Sequence, residues 1–387
     1  MNRESGRLCW SFKPGRSGQE RKDRMKKAVF IINSLQLGGA ERVVVTQAEF
    51  LQKSGIDVTI ICFRKRHQYD ICPGVKIISL TEKNTLGPVP CLTGLVWLKR
   101  RLNNELDKIA KSGEIILLTS NLLYPNIITR LSKYSKQSLY VLHAHQDILP
   151  FATNPLYKLF IHLLYKRRRI ICVGDSVAKE MRNVYHVDKK MIEAVVNPIN
   201  MDIIDELKKV PLNYDKPYIL FCGRLTSVKC PERMIEAYYH GRFYDTYNLV
   251  ILGIGELEDK LRHIVQSYGI SDKVDFRGME KNVYKWMYNA KLLVLTSNTE
   301  GLSMTLIEAL YCECPVVAVN SRGPVQILRG ELKRFLCEPS AESVALKMKE
   351  ALTDYPCNLT AYTDEYSVER NLEKYLKIYR KWNESIR

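Results

Sequence analysis

The sequence predicts an α/β protein built from two doubly wound parallel sheets, and three observations carry that expectation. Short apolar runs alternate with helix-like segments from Lys26 to beyond residue 380, the order produced when crossover helices follow strands. The runs are apolar throughout rather than alternating, as in LLVL (Leu292–Leu295) and VVAV (Val316–Val319), so both faces of each strand should be covered. At 387 residues the chain exceeds the length at which a single core usually splits, so two domains are expected.

Taken in order, KKAVFIINS (Lys26–Ser34) reads as a buried first strand. It runs into Leu37-Gly38-Gly39-Ala40-Glu41-Arg42 and a helix to about Lys53. Glycines between a first strand and its helix permit a tight turn and a close approach to the helix N-terminus. The spacing is not G-x-G-x-x-G, so a nicotinamide reading gains no support. Strands follow at Ile56–Cys62 and Val75–Leu80, then a loop at Leu86–Cys91 with two prolines, and a helix over Leu92–Lys111. Ile115–Thr119 is the next strand, and Asn121-Leu122-Leu123-Tyr124 opens a helix ending near Tyr134.

Leu139–Leu142 enters His143-Ala144-His145-Gln146-Asp147. Two histidines two apart at a strand end can share a face. They are either a packed or surface pair or groups of an active site. A zinc site would need further ligands, and only Asp147 stands nearby. Leu156–Arg169 (LYKLFIHLLYKRRR) reads as a helix with Leu156, Leu159, Phe160, Leu163 and Leu164 on one face and Lys166–Arg169 at its end. Such a helix either packs on the core, its cations suiting its dipole, or lies against acidic lipid headgroups. Ile170–Val173 is a strand, Asp175–Tyr185 a helix, and Ile192–Asn200 a closing strand; polar residues 202–216, with Pro211, form a linker.

The second half opens with PYILFC (Pro217–Cys222), then Gly223-Arg224-Leu225-Thr226-Ser227-Val228-Lys229 and a helix over Pro231–Tyr239. An arginine and a lysine converging between a strand and its helix can grip a diphosphate, though a basic loop of this kind is also common. Leu249–Leu252 is a strand turning at Gly253 and Gly255, and Lys273–Phe276 leads to Arg277-Gly278-Met279. A short helix over Val283–Asn289 precedes the stretch from Leu292 to Asn320, which reads strand, turn, helix (Met304–Tyr311), strand. Its turn places Glu300 at the carboxyl end of a strand, where open α/β sheets bind ligands, and Glu308 about one turn into the helix. Ser340–Leu352 is helical with Ser340 as N-cap, and Glu365–Trp382 is a long aromatic-rich helix.

Composition is that of a globular protein, 46% apolar and 26% charged. No apolar run approaches the roughly 18 residues of a membrane span. Residues 1–24 are polar and basic without a hydrophobic segment, so they are expected to be a disordered or non-native extension rather than a secretory signal. Eleven cysteines are scattered without a C-x-x-C pair, which suits buried thiols in a reducing cytosol. The net charge of +17 is uneven: residues 1–200 hold 33 Lys/Arg against 16 Asp/Glu, and residues 201–387 hold 26 of each. A basic first half beside a neutral second half points to one domain facing a polyanion, either an acidic membrane surface or a nucleic acid.

The segment T-E-G-L-S-M-T-L-I-E-A-L-x(3)-C-P-V-V-A (from Thr299) resembles the donor-site signature of retaining, nucleotide-sugar-dependent glycosyltransferases of family 4, which have the two-domain GT-B fold. G-G-A-E-R-V and G-R-L-x(3)-K match the same family in the correct order, and the resemblance covers roughly residues 27–380, more strongly in the second half. It implies an acceptor domain at 25–201, a linker at 202–216, a donor domain at 217–364, and a C-terminal helix (365–387) returning to the first domain. Arg224 and Lys229 would grip the donor diphosphate, with backbone N–H groups at Ser303–Thr305. Glu308 would hold the ribose and Glu300 the sugar. Gly38, Gly39, Gly223, Met279, Gly301, Leu302 and Met304 would line the donor. His145, preferred over His143, would orient the transferred sugar, and Asn121 is a second-choice group on the acceptor side. The chain departs from the family pattern at Gly174 (usually Ser), Asn200 (usually Asp), Glu256 (usually Pro) and Gln326 (usually an acid), and lacks a familiar N-G dipeptide thereafter.

The resemblance implies transfer with retention from an NDP-sugar, ranked UDP before GDP, to a hydroxyl of a glycan or lipid-linked envelope saccharide, with no metal or other cofactor. It implies a cytoplasmic enzyme peripherally bound to an anionic membrane through residues 156–169. A nucleotide-sugar 2-epimerase on the same fold would need additional acids and bases. A nucleic-acid-binding protein would need a recognised module, which is absent, so no nucleic acid is expected. A membrane scaffold without activity would need none of Arg224, Lys229, Glu300 and Glu308.

Overall fold

A computed structural model describes residues 25–36, 38–65, 71–82, 92–146 and 152–386. Residues 1–24, Leu37, the 86–91 loop and Asp147, all invoked above, lie outside the described residues. The first unit runs β1 (Lys26–Ile32), α1 (Gly39–Lys53), β2 (Asp57–Cys62), β3 (Val75–Ser79), α2 (Leu92–Ser112), β4 (Glu114–Asn121), α3 (Leu123–Leu131), β5 (Leu139–Leu142), α4 (Pro155–Tyr165), β6 (Ile170–Cys172), α5 (Asp175–Asn183) and β7 (Ile192–Ala194). After α6 (Met201–Leu207) the second runs β8 (Tyr218–Cys222), α7 (Pro231–His240), β9 (Asn248–Leu252), α8 (Glu258–Ser267), β10 (Val274–Gly278), α9 (Tyr284–Asn289), β11 (Leu292–Leu295), α10 (Met304–Tyr311), β12 (Val316–Val319), α11 (Pro324–Ile327), β13 (Leu336–Cys337) and α12 (Ala341–Thr353). The last helix is α13 (Val368–Ile386).

Both sheets are parallel, in the orders β3-β2-β1-β4-β5-β6-β7 and β10-β9-β8-β11-β12-β13. The expected two doubly wound units are therefore present. The apolar runs explain why: Ala28–Ile32, Leu292–Leu295 and Val316–Val319 are buried along their whole length, with helices on both sheet faces. Each such side chain stabilises the fold by about 1.5–3 kcal/mol relative to exposure. In both sheets the order of winding reverses beside the first strand, at β1/β4 and at β8/β11. That places a crevice at the carboxyl ends of four strands.

Helix α13 packs on α1 and β4 of the first unit, burying Val368, Leu372, Tyr375 and Tyr379. Gln47 Nε2 donates to Asn371 Oδ1 at 2.6 Å, Asn371 Nδ2 donates to the Val196 carbonyl at 2.6 Å, and Trp382 Nε1 donates to the Lys136 carbonyl at 2.7 Å.

Some boundaries differ from expectation for identifiable reasons. Helix α4 stops at Tyr165 because Arg167 is left-handed (φ 56°), so the basic block follows the helix instead of ending it. Arg168 donates to Ser135 Oγ at 2.9 Å and Arg169 pairs with Glu193, so half of that block is tied into the fold. The closing strand shrinks to Ile192–Ala194, and beyond it the backbone pairs with the C-terminal segment instead, the Val196 carbonyl accepting from Asn371 and Ile199 N–H donating to the Tyr366 carbonyl. Asn200 instead caps α6, accepting from Ile203 N–H at 3.2 Å, and this helix occupies the first part of the expected linker.

Candidate functional site

The crevice is lined by the four loops that leave β1, β4, β8 and β11. From β11 come Thr296 and Ser297, both buried, then Glu300 and Gly301. Glu300 pairs with Lys229 from the loop after β8, and its Oε1 also accepts from Ser297 Oγ at 2.8 Å. Glu308, one turn into α10 and 3% exposed, meets Arg42 of α1: Arg42 Nη1 donates to Oε1 at 2.7 Å. Tyr284 of α9 donates its hydroxyl to the same oxygen at 3.3 Å, and burial followed by the Glu308 charge pushes that phenol up. Each acid predicted to hold the donor therefore has a cation on it, one from its own unit and one from the facing unit.

Arg224 is exposed on the β8 loop. Its charge acts on Glu41, whose carboxyl is raised by burial and, less strongly, lowered by its own backbone N–H and by Arg224. The Glu41 carboxylate folds back over Gly38, the N-cap of α1, so a side chain at Gly38 would collide with it. Gly39 has open space at the position of a Cβ. The β8 loop rests on the β9 loop, where Gly253 (φ +144°) lies so close that a Cβ would overlap the Gly223 carbonyl oxygen. Ser303 N-caps α10 without using its side chain, which leaves the first N–H groups of that helix to other acceptors. Leu302 is buried, Met304 and Thr305 half-buried, and Met279 is 51% exposed beyond β10.

The two histidines occupy different environments. His143 Nε2 bonds Asn121 Oδ1 at 3.0 Å at the end of β4. The Asn121 amide donates to the Ile31 carbonyl at 3.2 Å and to Thr119 Oγ1 at 3.1 Å, so its oxygen faces the ring and Nε2 carries the proton. His143 Nδ1 is buried without a hydrogen-bond partner, and burial pushes the imidazole down to about 4. Across the crevice, a Cβ on Gly301 would sit 2.9 Å from the His143 carbonyl oxygen; the β5 and β11 loops touch there because position 301 has no side chain.

His145 is 3% exposed and both its nitrogens are engaged. Nδ1 meets Glu180 of α5 and Nε2 lies 3.1 Å from Ser176 Oγ. Glu180 Oε1 also accepts from Gln146 N–H at 2.8 Å, which clamps the loop.

The predicted donor residues Lys229, Glu300, Gly301, Ser303, Thr305 and Glu308 thus converge, with Arg224 at their edge, His143 and Asn121 opposite, and His145 set behind. The sequence reading passed over Arg42, Tyr284, Glu180 and Ser176. Arg42 stood inside the quoted glycine loop, but its reach to Glu308 spans two units; Tyr284, Glu180 and Ser176 carry no motif. Among the described residues, no group of three or more His, Cys, Asp and Glu side chains could hold a metal ion.

Residues 37–203 match the family model described as Glycosyltransferase Family 4, and residues 202–370 the one described as Glycosyl transferases group 1. A Campylobacter jejuni N-acetylgalactosamine-N,N'-diacetylbacillosaminyl-diphospho-undecaprenol 4-alpha-N-acetylgalactosaminyltransferase is 27% identical over 315 residues, covering 79% of this chain and 84% of that protein. A second Campylobacter jejuni alpha-1,4-N-acetyl-D-galactosaminyltransferase, acting on a GalNAc-containing PP-undecaprenol saccharide, is 28% identical over 336 residues, covering 85% and 90%. Among solved structures, Anabaena HepE in complex with UDP superposes with a TM-score of 0.70 at 16% identity, covering 93% of this chain and 99% of that one. The lipopolysaccharide outer core galactosyltransferase WaaB gives 0.64 at 17%, covering 94% and 100%. These superpositions show the same two-domain fold over more than nine-tenths of each chain.

Proposed function

We propose that this chain, which belongs to the GT-B glycosyltransferases of the family-4 kind, moves a sugar with retention from a UDP-sugar to a hydroxyl of a lipid-linked envelope saccharide. The observation that carries the reading is the pair of acids in one crevice, Glu300 on Lys229 and Glu308 on Arg42 and Tyr284. The Campylobacter relatives, which transfer N-acetylgalactosamine to diphospho-undecaprenol saccharides, support a hexosamine-type sugar and a polyprenyl-diphosphate acceptor.

In this reading the barrier is cleavage of the bond between the anomeric carbon and the diphosphate oxygen. Negative charge develops on the leaving diphosphate, where Lys229, Arg224 and the free N–H groups at the start of α10 act as preorganised donors. Lys229 turns from Glu300 to phosphate, and Glu300 takes sugar hydroxyls. Glu308 accepts from the ribose hydroxyls. The acceptor oxygen attacks the anomeric carbon from the leaving-group side, and its proton passes to the departing diphosphate oxygen, so no carboxylate serves as nucleophile. Contact between Gly301 and the His143 backbone closes the crevice against water.

Of the two histidines, His143 suits the sugar-facing role better than the expected His145. A neutral ring with an unengaged Nδ1 lone pair can accept from a sugar hydroxyl, whereas His145 has both nitrogens engaged.

The acceptor side favours a membrane. Leu156, Leu159, Phe160 and Leu163 of α4 are 75%, 53%, 40% and 49% exposed, beside exposed Lys158, Lys166 and Arg167. Right-handed crossovers put α2 and α3 in the same helical layer, where Trp97 and Leu131 are exposed too. An apolar face edged with cations fits anionic headgroups at the cytoplasmic leaflet.

The test is turnover of UDP-N-acetylgalactosamine, UDP-N-acetylglucosamine and UDP-glucose on a short polyprenyl-diphosphate disaccharide, with product anomers read by NMR. An α-linked product is expected, with a loss of 100-fold or more, about 3 kcal/mol, in Lys229→Ala. A β-linked product, or a Lys229→Ala variant as fast as its parent, would overturn the assignment.

A further inference from the structure

Two of the positions where this chain departs from the family pattern, Gly174 and Gln326, meet across the crevice. The Gln326 side-chain oxygen accepts from Asp175 N–H at 2.8 Å, at the N-terminus of α5. Its amide nitrogen donates to Ser176 Oγ at 2.9 Å and to the Arg322 carbonyl at 2.8 Å. A Cβ on Gly174 would fall 2.6 Å from the Gln326 oxygen, so glycine at 174 is what lets the amide reach α5.

The polarity of the Gln326 bonds is set. The amide orientation is fixed because its oxygen meets an N–H and its nitrogen meets a carbonyl. Ser176 Oγ therefore receives a proton from Gln326, and its own hydroxyl proton is available to His145 Nε2 at 3.1 Å. His145 Nδ1 faces the Glu180 carboxylate, which can only accept, so Nδ1 carries the ring proton. With the Ser176 hydroxyl proton turned to Nε2 the relay runs Gln326 to Ser176 to His145 to Glu180 and the ring is neutral; with the remaining Ser176 lone pair turned there instead, Nε2 carries a second proton.

We propose that Gln326 is a positioning residue that, when the crevice is closed, holds His145 in its neutral Nδ1–H form through Ser176. An acid at 326 would reverse the relay. A carboxylate stays attracted to the α5 N-terminus but can only accept. The Ser176 hydroxyl then turns toward it, the Ser176 lone pair faces Nε2, and His145 must take up a second proton. The charged groups around the ring are Glu180 on α5 and Arg322 after β12, whose Nη1 lies 3.1 Å from Nδ1. Since Nδ1 spends its proton on Glu180, Arg322 acts there as a neighbouring positive charge, which disfavours a second proton on the ring. Tyr157 of α4 and Cys172 of β6 are both pushed up, by burial first and the Glu180 charge second, and stay neutral; Arg182 of α5 acts on Cys172. Because Gln326 belongs to the donor unit and His145 to the facing unit, the histidine's state follows closure.

The experiment is nitrogen NMR of the full-length chain labelled at histidine, with His145 assigned by a His145→Gln variant. It needs no donor or acceptor, so it stands or fails separately from the transferase reading. The parent protein is expected to show Nδ1 protonated and Nε2 bare at neutral pH. Gln326→Glu is expected to move the Nε2 resonance into the protonated range, and adding Ser176→Ala to that variant is expected to return it. A parent protein already protonated at Nε2, a Gln326→Glu spectrum identical to the parent's, or a doubly protonated ring that survives loss of Ser176 would each overturn the proposal.

Discussion

Replacing Glu308 by Gln should separate donor binding from stability. The carboxylate is 3% exposed and its partners are Arg42 at 2.7 Å and Tyr284 at 3.3 Å. Removing a cation from a buried carboxylate would leave an uncompensated charge, at a cost of about 3–5 kcal/mol. Removing the charge while keeping the shape does the opposite: the amide oxygen still accepts from Arg42 and Tyr284, and the desolvation cost of the carboxylate disappears. Arg42 is 37% exposed in its side chain and can regain water. The net change in unfolding free energy should stay within about 1 kcal/mol. Binding should respond differently. Hydrogen bonds to a charged acceptor contribute about 1.5–3 kcal/mol against about 0.5–1.5 for a neutral one, so two ribose hydroxyls lose about 2–3 kcal/mol. That corresponds to about a 30- to 150-fold weaker UDP affinity. Urea denaturation and calorimetric titration with UDP, run on the same preparations, measure both. A variant that binds UDP within twofold of its parent would refute the ribose assignment; one that loses 3 kcal/mol of stability would refute the account of the buried pair.

Gly253→Ala should lose about 3 kcal/mol or more in urea denaturation, because its φ of +144° is strained for alanine and the new methyl overlaps the Gly223 carbonyl oxygen. Stability within 1 kcal/mol of the parent would show that the β8 and β9 loops are not packed as described. His143 should make stability fall between about pH 6.5 and 4: the unfolded chain takes up a proton through its ordinary value while the folded ring, held near 4, resists. The loss is about 3 kcal/mol, and His143→Gln should flatten that part of the profile. On α4, Leu159→Glu/Phe160→Glu should reduce sedimentation with phosphatidylglycerol vesicles at least tenfold, with added salt weakening the parent's binding. Equal sedimentation of both would assign the exposed face some other partner.

Much of the fold was legible because parallel strands covered on both faces must be apolar along their length, and LLVL and VVAV left no other reading. The boundaries that failed depend on particular backbone events. Arg167 adopts a left-handed conformation that no composition rule requires, and the C-terminal segment takes the backbone partners of Val196 and Ile199, ending a strand whose apolar pattern continued. The second-domain site was legible where one strand–turn–helix unit holds its own residues, as with Glu300, Ser303 and Glu308. The partners of those residues were not. Arg42 and Glu308 are separated by 266 positions, and their contact follows from how two sheets face each other. For His143 and His145, alternation at a strand end offered two equivalent candidates; the distinction lies in Asn121, Glu180 and Ser176, which arrive from β4 and α5. The direction of the α4 face was undecidable from its period, since an apolar stripe looks the same whether it meets a core or a lipid surface.

The placement of the two cations bears on how the crevice works. A carboxylate as buried as Glu308 needs a partner, and here the partner comes from the opposite unit. If Glu308 holds the ribose as proposed, Arg42 and a ribose hydroxyl seek the same carboxylate, and arrival of the nucleotide changes a contact between the units. Glu300 is different: Lys229 belongs to its own unit, and in the proposed reading it would move between carboxylate and phosphate without disturbing the facing unit. In that reading the nucleoside end of the donor is the end coupled to domain position, and the sugar end is handled locally. Meanwhile Gly301 against the His143 carbonyl and Gln326 against α5 keep the units in register. Closure can then survive loss of the Arg42 contact, and donor exchange requires only that the cation give way.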